Sequence, residues 1–370
     1  MKRREFIKTS SGALAAASLS GLLIPSGGIE TLAKRNKPVL KFPRYRGFNF
    51  TQKMGGPRRK FEEEDFEIMA DWGMDFARIP MSYWTWSSKD DWFKIDEEIM
   101  KDIDEVVELG KQYNIHVNLN FHRVTGYCIN GRDLEPFDLF EDTPENMQKA
   151  LDGVVYHWKY FTRRYKGIPS TQLSFDLINE PPKRTNESRY VEIVTAIVKG
   201  IREEDSERLI IADGKDIGRN PVLGLGDLVP VQSTRGYDPM SVSHYTATWV
   251  PKDEFETFNF PTWPIVGDDG KLWDKAALKV KLIDSWKPLT DMGVQVHVGE
   301  WGCFNKTPHD VTLRWMEDIL SLWKDAGWGY AMWNLKGSFG VLNSERQDVN
   351  YENYKGHKLD RKMLELLKAF

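Results

Sequence analysis

The stretch FDLINEPP, Phe175 to Pro182, decides the reading of this chain. Strict alternation puts Phe175, Leu177 and Asn179 on one face and Asp176, Ile178 and Glu180 on the other. That pattern predicts a largely apolar strand whose polar residues gather at its C-terminal end. Pro181 and Pro182 then stop the pairing. A strand that finishes on an amide beside a carboxylate implies partners on other strands.

Working outward, seven more β-rich runs appear: YRGFNF from Tyr45, FARIP from Phe76, HVNLNFH from His116, RLIIAD from Arg208, SVSHY from Ser241, VQVHVGE from Val294 and GYAMWN from Gly329. Between them lie segments with three-or-four spacing, such as Ile95, Ile99, Ile103, Val106 and Val107, or Trp315, Ile319, Leu322 and Trp323. Helices are expected also from Glu62, Glu145, Tyr190, Trp273 and Asp360, and only a short one in GKDIGRNPVLGLGDL after the fifth strand. Strand followed by helix implies parallel pairing with right-handed crossovers, and eight such units close into a single-domain (β/α)8 TIM barrel of the α/β class. An open doubly wound sheet is the alternative, but no Gly-rich phosphate or dinucleotide loop follows the first strand.

The 370 residues carry 51 basic and 55 acidic side chains without a long run of one sign, which favours neither nucleic acid nor an anionic membrane. Fourteen tryptophans supply flat apolar faces suited to sugar rings. MKRREFIK followed by SGALAAASLSGLLIP has twin arginines, Arg3 and Arg4, ahead of a weakly apolar run, the pattern of a Tat-type export signal ending near Ala33. The expected organisation is a signal over 1–33, an extension over 34–44 and the catalytic barrel over 45–370, with a periplasmic or secreted location. Cys128 and Cys303 form neither a cysteine framework nor a zinc site, and are read as incidental.

Side chains at the C-terminal ends of barrel strands converge on one face, where barrel enzymes keep their chemistry. Those ends offer Asn49, Arg78, His122, Asn179 with Glu180, Asp213, His244 with Tyr245, Glu300 and Trp333. Carboxylates on strands four and seven suit glycoside cleavage, one protonated to assist the leaving oxygen and one ionised to attack the anomeric carbon. Asn49 and Asp213 are read as structural, Asp213 as a turn residue before Gly214.

Arg78 in FARIP, His122 in LNFHR, Asn179 and Glu180 in INEP, His244, Glu300 in GEWG and Trp333 in MWN together resemble the active-site series of glycoside hydrolase family 5, the cellulase-like barrels, from about Tyr45 to Trp333. The resemblance implies a retaining double displacement with Glu180 as acid and base and Glu300 as nucleophile. It implies that Arg78, His122, Asn179, His244, Tyr245 and Trp333 bind substrate or orient the carboxylates. Neither cofactor nor metal is implied, and the partner is a carbohydrate met by a monomer, with no nucleic acid and, for the mature chain, no membrane. One departure stands out: the family's sixth-strand tyrosine follows the histidine by two positions, whereas Tyr245 is adjacent to His244 and alternation points it away.

A metal hydrolase built on His122, His244, Glu180 and Glu300 is a rival, disfavoured because the histidines lack a paired ligand spacing and a guanidinium would repel a cation. A sugar-binding barrel without catalysis is another, disfavoured because both carboxylates are present. Trp84, Trp86 and the aromatic stretch 246–270 are candidates for lining a cleft on a β-linked polysaccharide. Exo action on galacto-, manno- or arabino-configured glycans stays open.

Overall fold

Eight parallel strands form a closed ring: β1 (Arg46–Asn49), β2 (Phe76–Ser82), β3 (His116–Arg123), β4 (Leu173–Asp176), β5 (Leu209–Asp213), β6 (Val231–Gly236), β7 (Gln295–Trp301) and β8 (Tyr330–Met332). Each pairs with the next, and β8 pairs with β1 through Arg46 opposite Tyr330 and Phe48 opposite Met332. The computed structural model describes residues 42–370 other than 56–58, 132, 133 and 184, so the segment 1–33 read as an export signal lies outside the described residues. Most strand positions are buried, as expected where helices cover one face and the ring's own side chains fill the other.

Several helices begin where the preceding residue supplies an acceptor for their unpaired N–H groups. Asp96 takes bonds from Glu98 and Ile99 at the start of Glu97–Gln112, Thr143 takes one from Asn146 ahead of Pro144–Arg164, and Asn186 takes one from Arg189 ahead of Glu187–Glu204. His309–Ala326 ends at Gly327, whose φ of 72° is left-handed and open to glycine without a steric penalty. After β5 come only the short turns Lys215–Gly218 and Leu223–Leu225, in keeping with the short helix expected there.

The ring's interior changes character along its axis. Its floor is mainly apolar, built from Phe42, Phe76, Leu209, Ile211, Val231 and Ala331, with the buried rings of His116 and His297 packed on Phe76. Phe42 comes from upstream of β1 and is held there by Gln295, which accepts from the Phe42 N–H at 2.6 Å and donates to its carbonyl at 3.0 Å. Toward the C-terminal ends the interior turns polar, with Asn49, Arg78, Asn118, Asn120, Asp176, Asp213, Ser233 and Arg235 all buried.

One expected strand is misplaced. Ser241–Tyr245 is not β6: Met240–Ser243 is a helical turn, and the sixth strand lies ten residues earlier, in VQSTRG. Trp86 is likewise not a cleft residue, because its ring is fully buried against Phe121 and Phe161. Both cysteines are free and buried, with Cys303 Sγ lying 3.3 Å from the Val242 carbonyl.

Candidate active site

Two local departures from regular strand geometry bring the site together. β4 ends at Asp176, and Glu180 adopts a left-handed φ of 49°, so Asp176, Asn179 and Glu180 all bond into the same polar mouth although alternation would separate them. On β7 the register slips: Thr234 faces Val298 but Arg235 faces Glu300, leaving Gly299 as the extra residue of a bulge. A bulge re-aims the side chain that follows it, which turns Glu300 inward beside Arg235. Strict alternation would have sent Glu300 to the face of Val298.

Glycine is required at that bulge by space. A Cβ on Gly299 would lie 2.4 Å from Ser233 Oγ and 2.9 Å from Arg235 Nη1. Gly299→Ala is therefore expected to displace Arg235 and Glu300, lowering kcat about 10- to 100-fold and stability by about 1–3 kcal/mol. Steady-state kinetics together with urea unfolding check it, and unchanged values for both would refute this account of the bulge.

Two buried guanidinium groups organise the carboxylates. Arg78 donates through Nε to Asp176 Oδ2 at 2.9 Å, through Nη1 to Glu300 Oε1 at 2.7 Å and Asn49 Oδ1 at 2.9 Å, and through Nη2 to Asn179 Oδ1 at 2.8 Å. Arg235 donates through Nε to Glu180 Oε1 at 2.9 Å, through Nη1 to Ser233 Oγ at 3.0 Å, and through Nη2 to Asp213 Oδ2 and, at 2.8 Å, to Asn179 Oδ1. The same Nη2 stands 3.5 Å from Glu300 Oε1. Removing one partner of a buried ion pair costs about 3–5 kcal/mol, so neither arginine would be tolerated here without these acceptors. Asp213 also accepts the Glu180 backbone N–H at 2.7 Å, which helps to hold that residue's unusual backbone.

Charge and burial together set the protonation of the acidic groups. Burial pushes Glu180 up, the nearby Glu300 charge pushes it further and Arg235 pulls it back, leaving it at about 7. Asp176 is raised to about 7 by burial and by Asp213, against Arg78. Burial, with Arg123, Arg78 and Arg235 behind it, holds His122 well below its ordinary value, so its ring is neutral, 4.0 Å from Glu300 Oε1 and stacked on Trp333 at 5.8 Å between centroids.

The structure thus groups Arg78, His122, Asn179, Glu180, Glu300 and Trp333. Tyr245 does not join them. Its place is taken by Tyr237, just past β6, whose hydroxyl donates to Glu300 Oε2 at 3.4 Å. Tyr237 follows Arg235 by two positions, so the spacing missing from His244 and Tyr245 is met by this earlier pair, with arginine standing where a histidine was expected. His244 lies behind, its ring 4.8 Å from that of Tyr237 and its Nδ1 2.8 Å from Ser243 Oγ. Asp213 and Asn49, read as structural, bond directly to the two arginines. Arg235, Tyr237 and Asp176 were missed, although Val231, Ser233 and Arg235 alternate as inward residues of a strand should.

Comparison with known proteins places this geometry. Residues 33–338 match the family description Cellulase (glycosyl hydrolase family 5). Endoglucanase C of Acetivibrio thermocellus is 26% identical over 312 residues, covering 78% of this chain and 88% of its own length. Cellodextrinase A of Ruminococcus flavefaciens is 23% identical over 274 residues, covering 72% and 76%. A crystal structure described as that of a glycoside hydrolase superposes with a TM-score of 0.82 at 38% identity, over 88% of this chain and 99% of that one. The barrel, its mouth of carboxylates and these likenesses agree: the chain belongs to glycosyl hydrolase family 5 and is a glycosidase that cleaves β-glycosidic bonds.

Proposed function

We propose that the protein is an endo-acting β-glucanase in which Glu300 is the nucleophile and Glu180 the acid and base of a double displacement. The observation that carries these roles is the position of Arg235, whose one guanidinium lies 2.9 Å from Glu180 and 3.5 Å from Glu300, so that carboxylates from opposite sides of the ring face one gap. Glu300 attacks the anomeric carbon while the bond to the leaving oxygen breaks and that oxygen takes the proton of Glu180. Water then gives a proton to Glu180 and attacks the same carbon, releasing Glu300.

Asn179 has a matching role. Both arginines donate to its Oδ1, which fixes the amide's orientation and leaves Nδ2 a buried donor without a partner among the described residues. A buried orphan donor is costly, and a substrate hydroxyl would satisfy it; a bond to the sugar 2-OH strengthens in the oxocarbenium-like transition state. Trp333 offers a half-exposed face beside His122 for the reacting ring. Beyond His244 lies the exposed ring of Trp249, 6.2 Å away between centroids, and the exposed ring of Phe260 packs against the neighbouring Tyr245. Such surface suits further sugar units and supports a polymer as substrate. The names of the relatives, an endoglucanase and a cellodextrinase, support a glucan. We extend the proposal to an export role for the twin-arginine segment, which would place the enzyme with extracellular polysaccharide.

On a soluble mixed-linkage β-glucan, viscosity is expected to fall well before reducing ends accumulate, with NMR showing the β-anomer first. Initial release of the α-anomer would overturn the double displacement, and a slow viscosity loss proportional to reducing ends would overturn endo action.

A further inference from the structure

Glu180 must change charge twice in each turnover, so the groups fixed around it matter. Facing it are Glu300 from β7, Arg235 from β6, Asp213 from β5, Arg219 from the segment after β5 and Tyr237 from the end of β6. Tyr127, in the loop after β3, donates to the Glu180 backbone carbonyl. Of these, Arg235 bonds the Glu180 side chain directly, from Nε to Oε1. That guanidinium cannot turn away, because Asp213, Ser233, Asn179 and the Thr234 carbonyl hold its other nitrogens. Oε1 is then a standing acceptor, and a proton on the carboxyl has to ride on Oε2.

We propose that Arg235 is a positioning residue for the acid and base of this site, confining the Glu180 proton to Oε2 and stabilising the ionised carboxylate for the second half-reaction, with Asp213 as the counterion that limits its pull. The inference rests on the assignment of Glu180 above. A histidine in this place would not serve the same end: burial in this mouth keeps His122 neutral, whereas a guanidinium stays charged. In the first step the Oε2 proton passes to the leaving oxygen as the glycosidic bond breaks. In the second, Oε2 takes a proton from water as the water oxygen bonds to the anomeric carbon and the ester to Glu300 breaks.

The test reads opposite signs from two variants. Arg235→Met removes the cation, so the alkaline limb of kcat/KM on an unactivated β-glucoside oligomer is expected to move up by one pH unit or more. With a dinitrophenyl glycoside the same variant should show a burst followed by slow turnover, and azide should restore turnover by bypassing the base. Asp213→Asn removes the counterion and should move the limb down. Limbs that move together or stay within 0.2 of the parent would overturn the proposal, as would a slow Arg235→Met enzyme with no burst and no response to azide. Should one variant fail to fold by circular dichroism, the other still carries its own predicted sign. Azide rescue of Glu180→Ala judges the underlying assignment separately, so failure there is distinguishable from failure of the Arg235 role.

Discussion

Glu300→Gln is expected to lower kcat on every substrate by about 10⁴-fold or more, because no covalent intermediate can form without the carboxylate. The substitution keeps an oxygen to accept from Arg78, so the fold should survive. It also removes a negative charge from between two buried guanidinium groups, and a loss of about 1–3 kcal/mol in stability should accompany it. Activated substrates should not help, because the missing group forms the bond rather than assists the departure. Circular dichroism with kinetics on an aryl glycoside and a polymer makes the comparison. Turnover within tenfold of the parent in a folded variant would remove Glu300 from the chemistry.

Glu180→Ala is expected to behave differently, and that difference is what separates the two carboxylates. Loss of a general acid costs about 10²–10⁴-fold where the leaving group needs a proton, as on a polymer. With a dinitrophenyl leaving group the first step should be nearly intact and the second slow, so glycosyl-enzyme accumulates and azide yields a β-glycosyl azide. The pH profile gives a further reading. Glu180 is raised to about 7, so it is protonated below that pH and loses its acid function as pH rises through it. The parent kcat/KM should accordingly fall above about pH 7, while the variant's profile should lose that limb. Retention of the limb in Glu180→Ala would assign it to another group.

Much of this architecture was legible in the sequence because parallel barrel strands are buried on both faces and announce themselves as apolar, β-branched runs. RLIIAD and VQVHVGE are of that kind, HVNLNFH shows itself by the alternation of Val117, Leu119 and Phe121, and all three lie where expected. The sixth strand was not legible for the reason that makes it important: its inward residues, Ser233 and Arg235, are polar because they build the mouth, and VQSTRG reads as a connection. SVSHY imitates a strand through Val242 and the alternation around it, yet Pro239 ahead of it starts a helical turn. The inward direction of Glu300 was hidden by a bulge, and that of Asn179 with Glu180 by a left-handed residue. Neither irregularity leaves a pattern in a single chain, apart from the glycine before Glu300. Asp213 was visible as a strand-end carboxylate, but its worth depends on Arg235, and without the correct sixth strand there was no cation to give it one.

The engagement of every nitrogen of Arg78 and Arg235 by a protein acceptor also bears on which polysaccharides can enter. Four carboxyl groups, Asp176, Asp213, Glu180 and Glu300, surround those two arginines and already engage them. A polyuronate or sulfated chain reaching this mouth would bring anions that neither guanidinium is free to pair. A neutral chain brings no anion that would need such a partner.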